Sequence, residues 1–222
     1  MPIKPTYLND ELYDYMLENF SCDDEFLRNL KVEAAANGIP PIFITPEQGL
    51  FLQFLIRSVN AKHILELGTL AGYSALVMAE ALPEDGKIIT VEKNVGFAEF
   101  AQKKFSESEY SRKIDMRVED ASKFLDHFKP KEPLDFVFVD ANKPFNKIYL
   151  DKITPLLKVG GIYITDNAFA FGHIMETIPE RNPLEIKSMR SFNNYFRTHP
   201  LYKTCLVPIG DGAIMGVKIK EN

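Results

Sequence analysis

Ile64-Leu65-Glu66-Leu67-Gly68-Thr69-Leu70-Ala71-Gly72-Tyr73-Ser74 is the stretch that decides how this chain folds. A short apolar run closes on an acid, a loop with two glycines follows, and Ala75-Leu76-Val77-Met78-Ala79 continues as a helical pattern. Strand, tight glycine turn and helix is how an open parallel sheet builds a small-molecule site at the carboxyl edge of its first strand. Glu66 and Ser74 both fall at that turn.

Outward from this turn, strands and helices alternate. Upstream, Thr45-Pro46-Glu47-Gln48 reads as a helix start, with Thr45 as cap, Pro46 at the first helical position and Gln48 closing a capping box. Phe51, Phe54, Leu55 and Val59 then supply one apolar face. Downstream, Ile88 to Glu92, Ile114 to Val118, Leu134 to Val139 and Ile162 to Thr165 read as further strands. Between them lie helical patterns through Phe97, Phe100, Ala101 and Phe105, through Phe124, Leu125 and Phe128 behind a capping Asp120, and through Ile148, Leu150, Ile153, Leu156 and Leu157 up to Gly160-Gly161. Repeated βα units imply a parallel sheet with helices on both faces. A helix over about Ile186 to Arg197 precedes two strands, Thr204 to Ile209 and Ala213 to Ile219, around a Gly210-Asp211-Gly212 turn. That hairpin makes the last strand antiparallel.

Residues 1–42 form a helical preface, read equally as a lid, a dimer arm or helices packed on the domain. Leu8, Leu12, Tyr15, Met16 and Phe20 keep helical spacing. Ser21 is placed to cap a second helix with Asp23 and Asp24 in its first turn, and Asn37-Gly38 ends it. The 222 residues suit one α/β domain, taken here as 1–222. A formal charge of −5 argues against a nucleic-acid binder that relies on a basic face. No window approaches a membrane span, and the N-terminus lacks the apolar region of a signal peptide. Cys22 and Cys205 are isolated, and no Cys/His cluster offers a zinc site, so the expectation is a cytoplasmic protein with reduced thiols.

The glycine turn is Gly68-x-x-x-Gly72, and Leu70 stands where a dinucleotide fingerprint needs its second glycine. Glu66 would repel a phosphate and suits an ammonium. Glu92 ends the second strand, where a carboxylate accepts hydrogen bonds from two ribose hydroxyls. The helix start from Gly72 to Ser74 can hold a carboxylate. A nucleoside with an amino-acid group and no phosphate describes S-adenosylmethionine.

Asp140 ends the fourth strand, and Asp166 and Asn167 end the fifth, on the same edge as Glu66. Three oxygen donors without Cys or His select a hard cation, Mg²⁺, Mn²⁺ or Ca²⁺. Lys143 follows three residues after Asp140. A lysine beside a bound cation loses preference for its charged form, which suits a general base.

These residues resemble the cation-dependent O-methyltransferases that use S-adenosylmethionine, the caffeoyl-CoA and catechol O-methyltransferase group. The resemblance rests on Ile-Thr-Pro-Glu-Gln-Gly (44–49), Leu-Glu-Leu-Gly-Thr-Leu-Ala-Gly-Tyr-Ser (65–74), Val-Glu (91–92), Glu-Asp-Ala (119–121), Phe-Val-Asp-Ala-Asn-Lys (138–143), Gly-Gly-Ile-Tyr-Ile-Thr-Asp-Asn (160–167) and Pro-Ile-Gly-Asp-Gly (208–212). It implies a Rossmann-like methyltransferase fold, a seven-stranded mostly parallel sheet with an antiparallel last strand, and a homodimer. It implies that Ile44, Glu66, Gly68, Thr69, Gly72 and Ser74 hold the methionine end of the cofactor, that Glu92 holds the ribose and that Ala121 lies at the adenine. Asp140, Asp166 and Asn167 would bind the metal. Lys143 matches the base, Asn167 would polarise the reacting oxygen, and Asp211 would complete a polar triad. Lys4 falls where plant members place a substrate-contacting lysine.

Two departures stand out. Asn142 replaces an aspartate of the family pattern, so it can hydrogen-bond the cofactor but brings no charge. After Asn167 the family's leucine and tryptophan give way to Ala168-Phe169-Ala170-Phe171, which should border the acceptor. The expected reaction is metal-dependent methyl transfer to a hydroxyl of an aromatic vicinal diol, of catechol, caffeoyl or flavonoid type. Phe169, Phe171 and the N-terminal helices would exclude water. The alternatives are a methyltransferase acting on another small molecule, on protein or on nucleic acid, an NAD-dependent dehydrogenase, and a non-catalytic cofactor-binding dimer.

Overall fold

Every residue of β4 (Leu134–Val139) is buried, and its side chains alternate between two cores. Phe136 and Phe138 join one, Val137 and Val139 the other, as the pleat requires. A strand with no polar face needs helices on both sides. The computed structural model, which describes residues 6–177 and 182–221, provides them. α3 (Pro46–Ser58), α4 (Tyr73–Ala81) and α5 (Val95–Glu107) cover the first face. α6 (Ala121–His127), α7 (Asn146–Ile153) and α8 (Pro183–Arg197) cover the second.

The other strands are β1 (His63–Leu67), β2 (Lys87–Glu92), β3 (Ile114–Val118), β5 (Leu157–Thr165), β6 (Tyr202–Val207) and β7 (Ala213–Lys218). They form a seven-stranded sheet in the order β3-β2-β1-β4-β5-β7-β6. Strands β1 to β5 pair in parallel. The expected reversed last strand is β7, antiparallel to both β5 and β6. β1 lies between β2 and β4, so the strand order reverses there and opens a crevice at the carboxyl ends.

Several local expectations need correction. α7 stops at Ile153, and Leu157 already pairs with Leu134, so Gly160-Gly161 lie inside β5 rather than beyond a helix. From Leu134 to Phe136 the partner runs from Leu157 to Ile162, a bulge that Gly160 accommodates at φ 84. In α3 the buried side is Gln48, Leu52, Gln53 and Ile56, while Phe54 is 66% exposed. Thr45 occupies the cap position without making a side-chain cap, and its hydroxyl donates to Glu47 instead. The second helix is capped by Asp24, whose Oδ1 accepts from the Leu27 N–H at 2.7 Å, and not by Ser21.

The preface divides. α2 (Glu25–Ala36) buries Leu27, Leu30 and Ala34 and belongs to the core. α1 (Asp10–Asn19) buries nothing and leaves Leu12 and Tyr15 exposed, as are Leu8 before it and Phe20 at its C-cap. Just before α2, Asp23 accepts from the Tyr73 hydroxyl at 2.5 Å and pairs with Lys31, pinning the preface to the start of α4. No helix among the described residues is long and apolar enough to cross a membrane. Cys22 and Cys205 are unpaired.

Candidate active site

Gly68 turns the chain out of β1 at φ 99, and a Cβ there would stand 2.2 Å from the carbonyl oxygen of Asp140. The ends of β1 and β4 therefore meet at a distance only glycine permits. Leu70 follows at φ 50, a conformation rare for a bulky side chain. Its N–H donates to Glu92 Oε2 at 2.9 Å, so the acid at the end of β2 holds the turn. Gly72, at φ 88, caps α4 and packs on Phe105, which leaves no room for a side chain.

Glu66 is fully buried. Ser74 Oγ donates to it at 2.5 Å, and the Thr90 hydroxyl donates to its other oxygen. Thr69 and Thr90 hydroxyls lie 2.5 Å apart, which continues the chain of hydrogen bonds to the cavity wall. Burial pushes the Glu66 carboxyl up to about 7 despite those hydroxyls, and Asp140 and Glu92 add to the rise. A buried acid poised near neutrality gains from a cationic group placed beyond Ser74.

The ends of β4 and β5 carry the other constellation. Lys143, 7% exposed, pairs with Asp140 Oδ1 at 2.5 Å. Asp166 is 6% exposed, and burial together with the Asp140 charge pushes it up to about 6. Gln48 Nε2 donates to Asp166 Oδ1 at 2.8 Å, so the side chain expected to cap α3 supports this acid instead. Asn167 takes φ 63, which asparagine tolerates better than most residues. Nearby, Asp211 Oδ2 accepts from the Phe171 N–H at 2.8 Å.

These walls enclose a cavity of about 690 Å³. Of the expected site residues, Ile44, Gly68, Thr69, Ser74, Glu92 and Ala121 line it on the cofactor side. Asp140, Asn142, Lys143, Asp166, Asn167 and Asp211 line the remainder. Glu66 and Gly72 do not reach the surface of the cavity, and Glu66 acts on it through Ser74 and Thr90. Phe171 lines the cavity, but Phe169 packs against Gly212. Among the described residues of the preface, Pro41 and Ile42 alone line the cavity, and Lys4 lies outside the described residues.

A family model described as O-methyltransferase matches residues 18–219. The chain belongs to the O-methyltransferase family. Relatives of this family member include the caffeoyl-CoA O-methyltransferase of Medicago sativa, 32% identical, with 96% of this chain and 90% of that protein covered. The catechol O-methyltransferase of Niastella koreensis is 33% identical, covering 76% of this chain and 79% of that protein. Among solved structures, the Bacillus cereus O-methyltransferase in complex with SAH superimposes with a TM-score of 0.85 at 27% identity, covering 92% of this chain and 96% of that one. An O-methyltransferase of tomaymycin synthesis from Streptomyces achromogenes, in complex with SAM, gives a TM-score of 0.85 at 26% identity, covering 95% and 96%.

Three groups at the site of this O-methyltransferase escape a reading by local pattern. Gln48 sits on the buried side of α3, and a polar residue there signals a partner. Thr90 hides inside an apolar strand. Glu185 reaches the cavity from the start of α8.

Proposed function

We propose that this chain transfers the methyl group of S-adenosylmethionine to one hydroxyl of an aromatic vicinal diol, of catechol, caffeoyl or flavonoid type, with a divalent cation held by Asp140, Asp166 and Asn167. The observation that carries this is one cavity shared by two sets of groups. The Gly68 to Ser74 turn and Glu92 suit a nucleoside methyl donor, while Asp140, Lys143, Asp166 and Asn167 suit a hydroxyl to be deprotonated. The cofactor-bound relatives support the donor, and the catechol and caffeoyl-CoA relatives support the acceptor.

The donor set fits a hard cation. All three groups offer oxygen, and burial together with the Asp140 charge raises Asp166, a repulsion that Lys143 and Gln48 only partly offset. Among the described residues no three His, Cys, Asp or Glu side chains cluster; the set is two carboxylates and an amide. A divalent cation there supplies the charge that lowers the pKa of an acceptor hydroxyl. Lys143, freed from Asp140 and having given its own proton to solvent, would take the hydroxyl proton at its neutral Nζ. Gln48 keeps Asp166 oriented, and Glu66, through Ser74, holds the donor's ammonium end. Glu92 takes the ribose hydroxyls, and Phe171 shields the acceptor ring from water. Alignment of the two substrates by these walls is worth roughly 7–11 kcal/mol of barrier.

A homodimer belongs to the same proposal, and the uncovered apolar residues of α1 support it; light scattering tests it. The reaction is tested by incubating the protein with S-adenosylmethionine and a panel of catechols, flavonoids and caffeoyl esters, with and without Mg²⁺. Mass spectrometry should find singly methylated catechols in the presence of Mg²⁺. Equal product with a chelator present would remove the cation from the mechanism.

A further inference from the structure

Asn167, Phe171, Asp211 and Glu185 line the same cavity as Lys143. Glu185 lies in the first turn of α8. One turn later, Ser188 Oγ donates to the carbonyl oxygen of Lys143 at 3.4 Å. Residues three apart share a helix face, so Glu185 presents its carboxylate at the rim above the loop that carries Lys143.

Charge at this rim is unbalanced. Among the described residues, the cations lining the cavity are Lys93 and Lys143. Lys143 is already paired with Asp140, and Lys93 adjoins the ribose-binding Glu92. The Asp211 carboxylate accepts from the Phe171 N–H. Among the described residues, Glu185 is thus the lining carboxylate left to face whatever the acceptor ring carries. The 67% exposed ring of Phe171 lines the same cavity. An aromatic face with a carboxylate favours a cationic group and disfavours an anionic one.

We propose that Glu185 determines acceptor specificity by charge: it rejects vicinal diols with an anionic tail and admits those with a neutral or cationic tail. This rests on the catechol acceptor proposed above, and it narrows that class. Acceptors carried on a polyphosphate thioester, such as those that name the plant relatives, fall on the disfavoured side.

Three catechols that differ only in a carboxylate, hydroxymethyl or aminomethyl tail test it. Each is assayed for turnover with S-adenosylmethionine and Mg²⁺, and for binding to the complex with S-adenosylhomocysteine by calorimetry. The wild-type protein should rank them aminomethyl, hydroxymethyl, carboxylate. Glu185→Gln should raise the kcat/KM ratio of carboxylate to hydroxymethyl tail about ten-fold, and Glu185→Lys should raise it further. Added salt should compress the wild-type ranking. Turnover of all three with the same ratio in both variants overturns the role of Glu185 and leaves the methyltransferase proposal standing. Failure of the wild-type protein to bind or methylate any of them overturns the catechol acceptor and this inference together.

Discussion

Gln48 Nε2 donates to Asp166 Oδ1 at 2.8 Å, joining residues 118 positions apart. Both side chains are buried, so the amide is the group that keeps one oxygen of a crowded acid in place. Groups that orient metal ligands typically change affinity or activity by roughly ten- to hundred-fold when lost. Gln48→Leu should therefore raise the Mg²⁺ concentration needed for half-maximal methylation by roughly ten-fold or more. Affinity for S-adenosylhomocysteine should move far less. A Mg²⁺ titration of rate beside a calorimetric titration of the nucleoside separates the two.

Glu66 sets a pH dependence with a definite sign. Its folded carboxyl is raised from 4.5 to about 7. Between those values the folded chain holds a proton that the unfolded chain has lost, so stability of the free protein falls as pH rises through the window. The loss is of order 3 kcal/mol and levels off above about pH 7. Urea unfolding on either side of the window should show the slope, and Glu66→Gln should flatten it. Donor affinity should run the other way, strengthening with pH, because the ionised carboxylate favours an ammonium.

Asp140 meets three demands: its carbonyl abuts Gly68, its carboxylate pairs with Lys143, and it raises Asp166. Asp140→Ala should lower kcat at least about hundred-fold while weakening donor binding much less. Single-turnover rates and donor dissociation constants check this. A chelator-treated Asp140→Ala protein that still methylated a catechol at the wild-type rate would sink the proposed mechanism.

Asp211 fastens a strained loop. Ala170 and Phe171 both hold positive φ, at 52 and 54, and Gly172 follows at 83. Such residues cost on the order of 1–3 kcal/mol each and persist only when held. Asp211→Ala removes the acceptor of the Phe171 N–H, so the loop should relax and carry the ring away. The acceptor KM should rise about ten-fold, with a smaller change in affinity for the donor. Steady-state kinetics with each substrate varied in turn distinguishes this from a general loss of fold.

Much of this was legible in local pattern. The strand limits Ile114 to Val118 and Leu134 to Val139 coincide with β3 and β4, because an alternating run in the first and a nearly continuous apolar run in the second, each between turn residues, state their own ends. Gly68, Leu70 and Gly72 specify the turn by their conformational limits alone. The misreadings share a cause. Gly160-Gly161 are helix-stop residues by composition but lie in a bulged strand, because β4 supplies a ladder for them. Gln48 has the chemistry of a capping residue, yet its partner is Asp166.

The sequence by itself determined the order of strands and helices, the conformation of the Ile64 to Ser74 turn and the residue types offered at the crevice, since these depend on steric limits and on hydrophobic period within a few residues. The tertiary structure alone decided that Glu66 lies behind Ser74 instead of in the open cavity, that Gln48 supports Asp166, that β7 enters between β5 and β6, and that Glu185 lines the cavity. Those relationships join distant segments, and burial and charge at each depend on what the rest of the chain brings beside it.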